Sequence, residues 1–265
     1  ILYILDNIAP DDCKNALGYI INGLSKEVYN PYLVCHKDSG LIWAVRKGIE
    51  YVSLDFSKKM GLALIFKLAD IIKKNRIDIV HAYGPKADLH ARLARMISGG
   101  WKYVSTIALP MEERYGERPK KRMSAIFRRF FDRFVDRYIV TSDFVRERVR
   151  GKCGIDSDKI VRIYNGVDLE NFTYSPQGRA CIRAELNVHP DTVIIGAAGR
   201  LIWQKGYEFL IKALPVIIKS HPNTKLLIVG EGPFKEHLMM HIGMIGMNSH
   251  ATLLGFRKDM RDILS

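Results

Sequence analysis

The segment Ile77–Ile107, IDIVHAYGPKADLHARLARMISGGWKYVSTI, holds the pattern that sets the fold. IDIVHAY (77–83) is a mostly apolar run of strand length, a helical pattern follows near Ala87–Ile97, and YVSTI (103–107) is again β-rich. Strands that are apolar throughout and separated by helices indicate a parallel sheet, because each crossover lays a helix on one of its faces. The alternation extends both ways. Upstream lie ILYIL (1–5), a helical stretch near Lys14–Leu24, YLVCH (32–36), YVSL (51–54) and an amphipathic helix over Gly61–Lys74. Downstream come RYIVTS (137–142), a helix near Phe144–Lys152 and KIVRIYN (159–165). Leu169–Pro190 is polar, rich in turn residues, with one short helical piece at Arg179–Leu186. The pattern then restarts with TVIIGAAG (192–199), a helix near Tyr207–Lys219, KLLIVG (225–230) and ATLLGF (251–256). The expectation is an α/β chain of two Rossmann-like, doubly wound parallel-sheet domains, 1–170 and 171–265. The second has three strands, half of such a domain.

Composition bounds the function. Of 265 residues, 48% are hydrophobic and 26% charged, which is ordinary globular material. No apolar run reaches the roughly 18–20 residues of a bilayer-spanning helix. Cys13, Cys35, Cys153 and Cys181 lie far apart without a CxxC, as in a reducing cytoplasm. The chain starts inside a strand without Met or a basic leader, and it ends inside a helical pattern, RKDMRDILS. It therefore reads as a fragment. A formal net charge of +13 implies an anionic partner: nucleic acid, anionic lipid or a phosphorylated substrate.

Part of that charge is concentrated in Arg114–Arg137, with nine Lys or Arg against three Asp or Glu. Within it Met123, Ile126, Phe127, Phe130, Phe131, Phe134, Val135 and Tyr138 recur at helical spacing. Two readings fit: a helix covering the sheet with a solvated basic back, or an interfacial helix beside anionic lipid head groups.

Several motifs carry little. GEGPFK (230–235) opens like a dinucleotide fingerprint but has Lys235 at the third glycine position. Asp156-Ser157-Asp158 has a metal-bridging spacing, yet sits where Asp and Ser serve turns. His237 and His241 share a helix face without a third ligand in view. There is no P-loop and no GxSxG elbow. The informative motif is GRLIWQKG (199–206), between an apolar strand and a helix. Gly199 permits a turn at the strand's C-terminal edge, where open α/β sheets bind ligands. Arg200 offers a planar fork and Lys205 a point charge, and the next helix adds free N–H groups and the positive end of its dipole. The combination suits a diphosphate. The spacing also fits two surface cations flanking a turn.

GRLIWQKG, with TVIIGAA before it and LLIVGEGP and LLGFRKD after it, resembles glycosyltransferase family 4. IDIVHAYG, YIVTSDFVRERV and KIVRIYNGVDLENF match that family's segments in order, over nearly the whole chain. The resemblance implies a retaining, nucleotide-sugar-dependent transferase of the GT-B fold, with two Rossmann-like domains facing a cleft. It implies that Arg200 and Lys205 are the catalytic cations, binding the donor diphosphate and stabilising its developing charge without metal or cofactor. Gly199, Glu231, Gly232, Phe256 and Arg257 would form the rest of the donor site, with Phe256 and Arg257 near the base. His81, Asn165 and Gly166 would lie on the acceptor side. Three departures stand out. The family's Gly-Gly loop reads Ala9-Pro10-Asp11-Asp12-Cys13-Lys14 here, a His position is occupied by Ala108, and the E-x7-E segment would lie beyond Ser265.

The implied partners are a UDP- or GDP-linked sugar, a lipid-linked or saccharide acceptor, and an anionic membrane surface met by 114–137. The implied place is cytoplasmic, peripheral at the inner face of the membrane, in polysaccharide assembly. A sugar-nucleotide epimerase shares the architecture. A basic nucleic-acid-binding module is disfavoured, because the aromatics at 127–134 fall on an apolar helix face and no helix-turn-helix or RNP-like signature occurs.

Overall fold

The computed structural model describes all residues except 7–10, 37–40, 42–44, 46–47, 57–60, 109–129 and 154, with only the backbone for 11–15 and 152–153. The chain divides into two compact units, Ile1–Val167 and Asp168–Ser265.

The first unit contains strands β1 (Leu2–Leu5), β2 (Tyr32–Cys35), β3 (Glu50–Ser53), β4 (Ile79–Tyr83), β5 (Lys102–Ile107), β6 (Arg137–Val140) and β7 (Ile160–Arg162). They form one parallel sheet in the order β3-β2-β1-β4-β5-β6-β7. Its helices are α1 (Asp11–Gly23), α2 (Leu62–Lys74), α3 (Pro85–Ile97) and α4 (Asp143–Cys153). The four residues of β1 are all buried and alternate between two cores. Leu2 and Ile4 join Ile65 and Leu68 of α2 and Ala87 and Ala91 of α3, while Tyr3 and Leu5 join Leu17 and Ile21 of α1. A strand with a period of two that is apolar at every position must bury both faces, and helices on each side do so.

The strand order reverses between β1 and β4, and the residues directly after these two strands meet there. Asp6, just after β1, is buried, and its carboxylate accepts hydrogen bonds from Lys86 N at 2.7 Å and Ala87 N at 3.2 Å, in the first turn of α3. Gly84 at φ 99° lets the chain pass: a Cβ there would stand 2.3 Å from the Asp6 carboxylate.

The basic amphipathic segment lies mostly outside the described residues, but its C-terminal end corrects the helical reading. Among its described residues helix covers 130–132, and Phe134 N and Val135 N bond three residues back, to Phe131 O and Asp132 O. Tyr138 belongs to β6. Val135 and Tyr138 extend the apolar spacing because they are sheet-core residues, fully buried in the larger cluster.

The second unit contains α5 (Pro176–Glu185), β8 (Val193–Ala198), α6 (Tyr207–Ser220), β9 (Thr224–Val229), α7 (Lys235–Met244), β10 (Ala251–Gly255) and the short α8 (Met260–Ile263). Its parallel sheet has the order β10-β9-β8. Leu226 and Ile228 of β9 pack with Tyr207, Ile211 and Leu214 of α6 and Leu238 and Ile242 of α7. Among the described residues, no helix is long and apolar enough to cross a membrane.

Candidate functional site

In the second unit the loops after β8, β9 and β10 are stitched together backbone to backbone. Gly199, at φ 147°, donates its N–H to Val229 O at 2.9 Å. Leu201 N donates to Glu231 O at 2.9 Å, Phe234 N to Leu201 O at 3.0 Å, and Gly230 N to Gly255 O at 2.8 Å. This proximity requires glycine. A Cβ on Gly230 would stand 1.9 Å from Gly199 O, and one on Gly232 2.4 Å from Leu201 O. Glycine here is thus a condition for bringing Arg200 and Lys205, Glu231 and Gly232, and Phe256 and Arg257 to the same edge of the sheet.

Arg200 and Lys205 are exposed, and neither side chain has a hydrogen bond or ion pair among the described residues. Lys205 ends a 3₁₀ turn (Trp203–Lys205), and Gly206, left-handed at φ 69°, converts that turn into α6. Lys205 Cε lies 3.9 Å from where a Gly199 Cβ would stand, which places the ammonium stem over the loop that begins with Arg200. Two unneutralised cations therefore stand beside the N-terminal end of α6, whose dipole favours an anion.

The remaining expected donor residues differ in availability. The Glu231 carboxylate accepts from Lys235 Nζ at 2.9 Å. Phe256 is 70% exposed. The Arg257 guanidinium is committed: it donates to both oxygens of Glu185 on α5 and both of Asp259, at 2.5–2.8 Å. These bonds raise its pKa, and they lower those of Glu185 and Asp259. Asp156 accepts from Asp158 N as the cap of a 3₁₀ turn. His237 bonds Glu208 and stacks on Phe234 at 4.3 Å.

The first unit holds a cavity of about 280 Å³ at the C-terminal edge of its sheet. Its walls are Ala16, Tyr19 and Ile20 of α1, Tyr83 of β4, Thr106 of β5, Ile139 and Thr141 at β6, and Ile163–Gly166 after β7. Asn165 and Gly166 thus stand in its rim. His81 does not line it. The ring is buried in the sheet, 2.7 Å from the Thr106 hydroxyl and 4.5 Å from the Tyr83 ring, so it reaches the cavity only through those two. Burial pushes its pKa down to about 3, which keeps the imidazole neutral. Tyr164 is fixed from behind. Its hydroxyl donates to Asp143 Oδ2 at 2.9 Å, Arg162 donates to the same oxygen at 2.6 Å, and the Arg162 guanidinium lies 4.5 Å from the ring centroid. The tyrosine hydrogen bond, ahead of the arginine charge, holds Asp143 below the usual carboxylate range.

Sequence reasoning missed Tyr19, Thr106 and Tyr164. The aromatic residue preceding Asn165-Gly166 was the one available signal, since a turn at a strand's C-terminal edge exposes its neighbours.

Residues 15–171 match the Glycosyltransferase Family 4 model, and residues 192–265 match the Glycosyl transferases group 1 model. A GDP-mannose-dependent monoacylated alpha-(1-6)-phosphatidylinositol monomannoside mannosyltransferase of Corynebacterium glutamicum is 28% identical over 172 residues, 64% of this chain and 44% of the relative. A UDP-Gal:alpha-D-GlcNAc-diphosphoundecaprenol alpha-1,3-galactosyltransferase of Escherichia coli is 26% identical over 203 residues, 76% of this chain and 52% of the relative. The chain spans about half the length of these relatives or less. Among solved structures, Anabaena Alr3699/HepE in complex with UDP superposes with a TM-score of 0.80 at 20% identity, covering 99% of this chain and 70% of that one. A glycosyltransferase from Rickettsia africae ESF-5 gives 0.80 at 19%, covering 99% and 69%. The likeness establishes the GT-B fold.

Proposed function

Because the chain belongs to glycosyltransferase family 4, we propose that it takes part in moving a sugar from a UDP- or GDP-linked donor to a lipid-linked or saccharide acceptor. The donor docks on the second unit and the acceptor on the first. One observation carries this reading: Arg200 and Lys205 stand without a side-chain partner among the described residues, beside the start of α6, on a loop that close glycine contacts hold in place. As the glycosidic bond breaks, charge grows on the departing diphosphate. Arg200 supplies a fork and Lys205 a point charge already in position, without a metal ion. Retention of configuration belongs to the proposal through the family resemblance. A lipid-linked acceptor is supported by two relatives whose names specify lipid-anchored substrates. The proposed location is the inner face of the cytoplasmic membrane, reached through residues 114–137.

Calorimetric titration with UDP and GDP tests the donor assignment. Arg200→Ala and Lys205→Ala should each weaken the preferred nucleotide by about 10–100-fold, the size of a lost charge-assisted hydrogen bond. Affinity unchanged in both variants would refute the clamp. Membrane association is tested by co-sedimentation with anionic vesicles at moderate salt, and no pelleting would refute it.

A further inference from the structure

We propose that the first unit's cavity is a pyranose subsite in which Tyr164 is the stacking platform, so that the acceptor presents a sugar ring and not a hydrocarbon chain. The inference rests on the transferase reading and narrows its acceptor. At about 280 Å³ the cavity lies just below the roughly 300–1,000 Å³ typical of small-molecule sites, suited to a single ring with its substituents. Among the described residues no charged side chain lines it, so they offer a phosphate no counter-charge.

The lining is mixed in the way a pyranose demands. Ile20, Ile139 and Ile163 give apolar walls, against which a sugar can lay its C–H face. The Tyr19 hydroxyl and the Asn165 carboxamide have no hydrogen-bond partner among the described residues, so both are open to sugar hydroxyls. A hydrocarbon chain would strip water from these two groups and return no hydrogen bond.

Tyr164 is 59% exposed yet held by bonds to Asp143 and Arg162. With Arg162 close by and the hydroxyl tied to Asp143, the ring is pre-oriented, and ligand binding need not order it. A large exposed aromatic residue immobilised by an ion pair at a cavity mouth is better explained by stacking than by packing.

Saturation-transfer NMR of the 265-residue chain with octyl β-glucoside, octyl β-galactoside and octyl α-mannoside, below micelle formation, separates the possibilities within single molecules. The expected result is saturation of pyranose C–H protons for at least one glycoside. Tyr164→Phe should retain it, and Tyr164→Ala should reduce it at least fivefold. Saturation confined to the octyl chain, or ring saturation indifferent to Tyr164→Ala, or no saturation from any of the three, would overturn the subsite. UDP and GDP titrations on the same samples keep the two readings apart. Arg200-dependent nucleotide binding without a Tyr164-dependent sugar signal removes the subsite alone. A Tyr164-dependent sugar signal without nucleotide binding removes the donor assignment and leaves the sugar subsite. An unchanged calorimetric transition for residues 1–167 in Tyr164→Ala shows that the unit carrying the substitution is folded.

Discussion

His81 sits in the sheet as a neutral ring, and this links stability to pH. Its pKa is about 3 when folded, against about 6.5 in an unfolded chain. Between those values the unfolded state binds the extra proton, so this contribution is complete above pH 6.5 and is lost as pH falls toward 3. Each pH unit in that window should cost up to about 1.4 kcal/mol through this residue. Urea midpoints from pH 7 to 4 should fall less steeply in His81→Leu than in the parent, and parallel slopes would refute the burial argument. Two glycines give a second comparison. Gly230→Ala forces a methyl to 1.9 Å from a carbonyl at φ 143° and should cost about 3 kcal/mol or more. Gly196→Ala, where the added carbon meets nothing within 4 Å, should change the melting temperature little.

Between elements, a buried polar link in the first unit joins α3, the residues just before β6, and strands β5 and β6. Arg92 pairs with Asp88 at 3.0 Å and Asp132 at 2.9 Å and donates to Tyr138, while Tyr103 donates to Asp88 at 2.8 Å. Burial opposes the Arg92 charge, but the two carboxylates and the two tyrosines together hold it protonated. Arg95 grips Asp136 one turn further on, so α3 holds both acids at the C-terminal end of the basic segment. Arg92→Met would leave two buried carboxylates uncompensated and should cost about 3–5 kcal/mol by chemical denaturation. Lys74→Met, which breaks an exposed pair with Asp70, should cost no more than about 0.5 kcal/mol. Similar costs for the two variants would contradict the burial difference. Strand and helix identities here were legible from hydropathic period, with ends moved by a few residues. Tyr138 was read twice, inside the strand RYIVTS and at the end of the helical stripe, because an i+15 spacing fits a helix as well as it fits a sheet residue beyond a turn; β6 bears out the strand.

For the molecule as a whole, each of the three apolar clusters lies entirely within one unit. Gly230→Ala should therefore lower one calorimetric transition, assigned to 168–265, and leave the other in place. A single transition shifting as a block would show that the units unfold cooperatively.

The alternation of apolar runs and helices, the cationic GRLIWQKG turn and its glycines were determined by sequence alone, because period, turn chemistry and charge are local properties. The strand order, with β1 between β2 and β4, depended on pairing between distant segments. Arg257 illustrates the same limit: the sequence offered a cation, and folding brought Glu185 to it from 72 residues away. The cavity beside Tyr164 is also a tertiary product, since Ala16, Tyr19 and Ile20 of α1 lie more than 140 residues from Ile163–Gly166 and meet them only once the strands from β1 to β7 have assembled. Long-range proximity is set by the packing of buried faces, and no local pattern encodes which surfaces that packing will bring together.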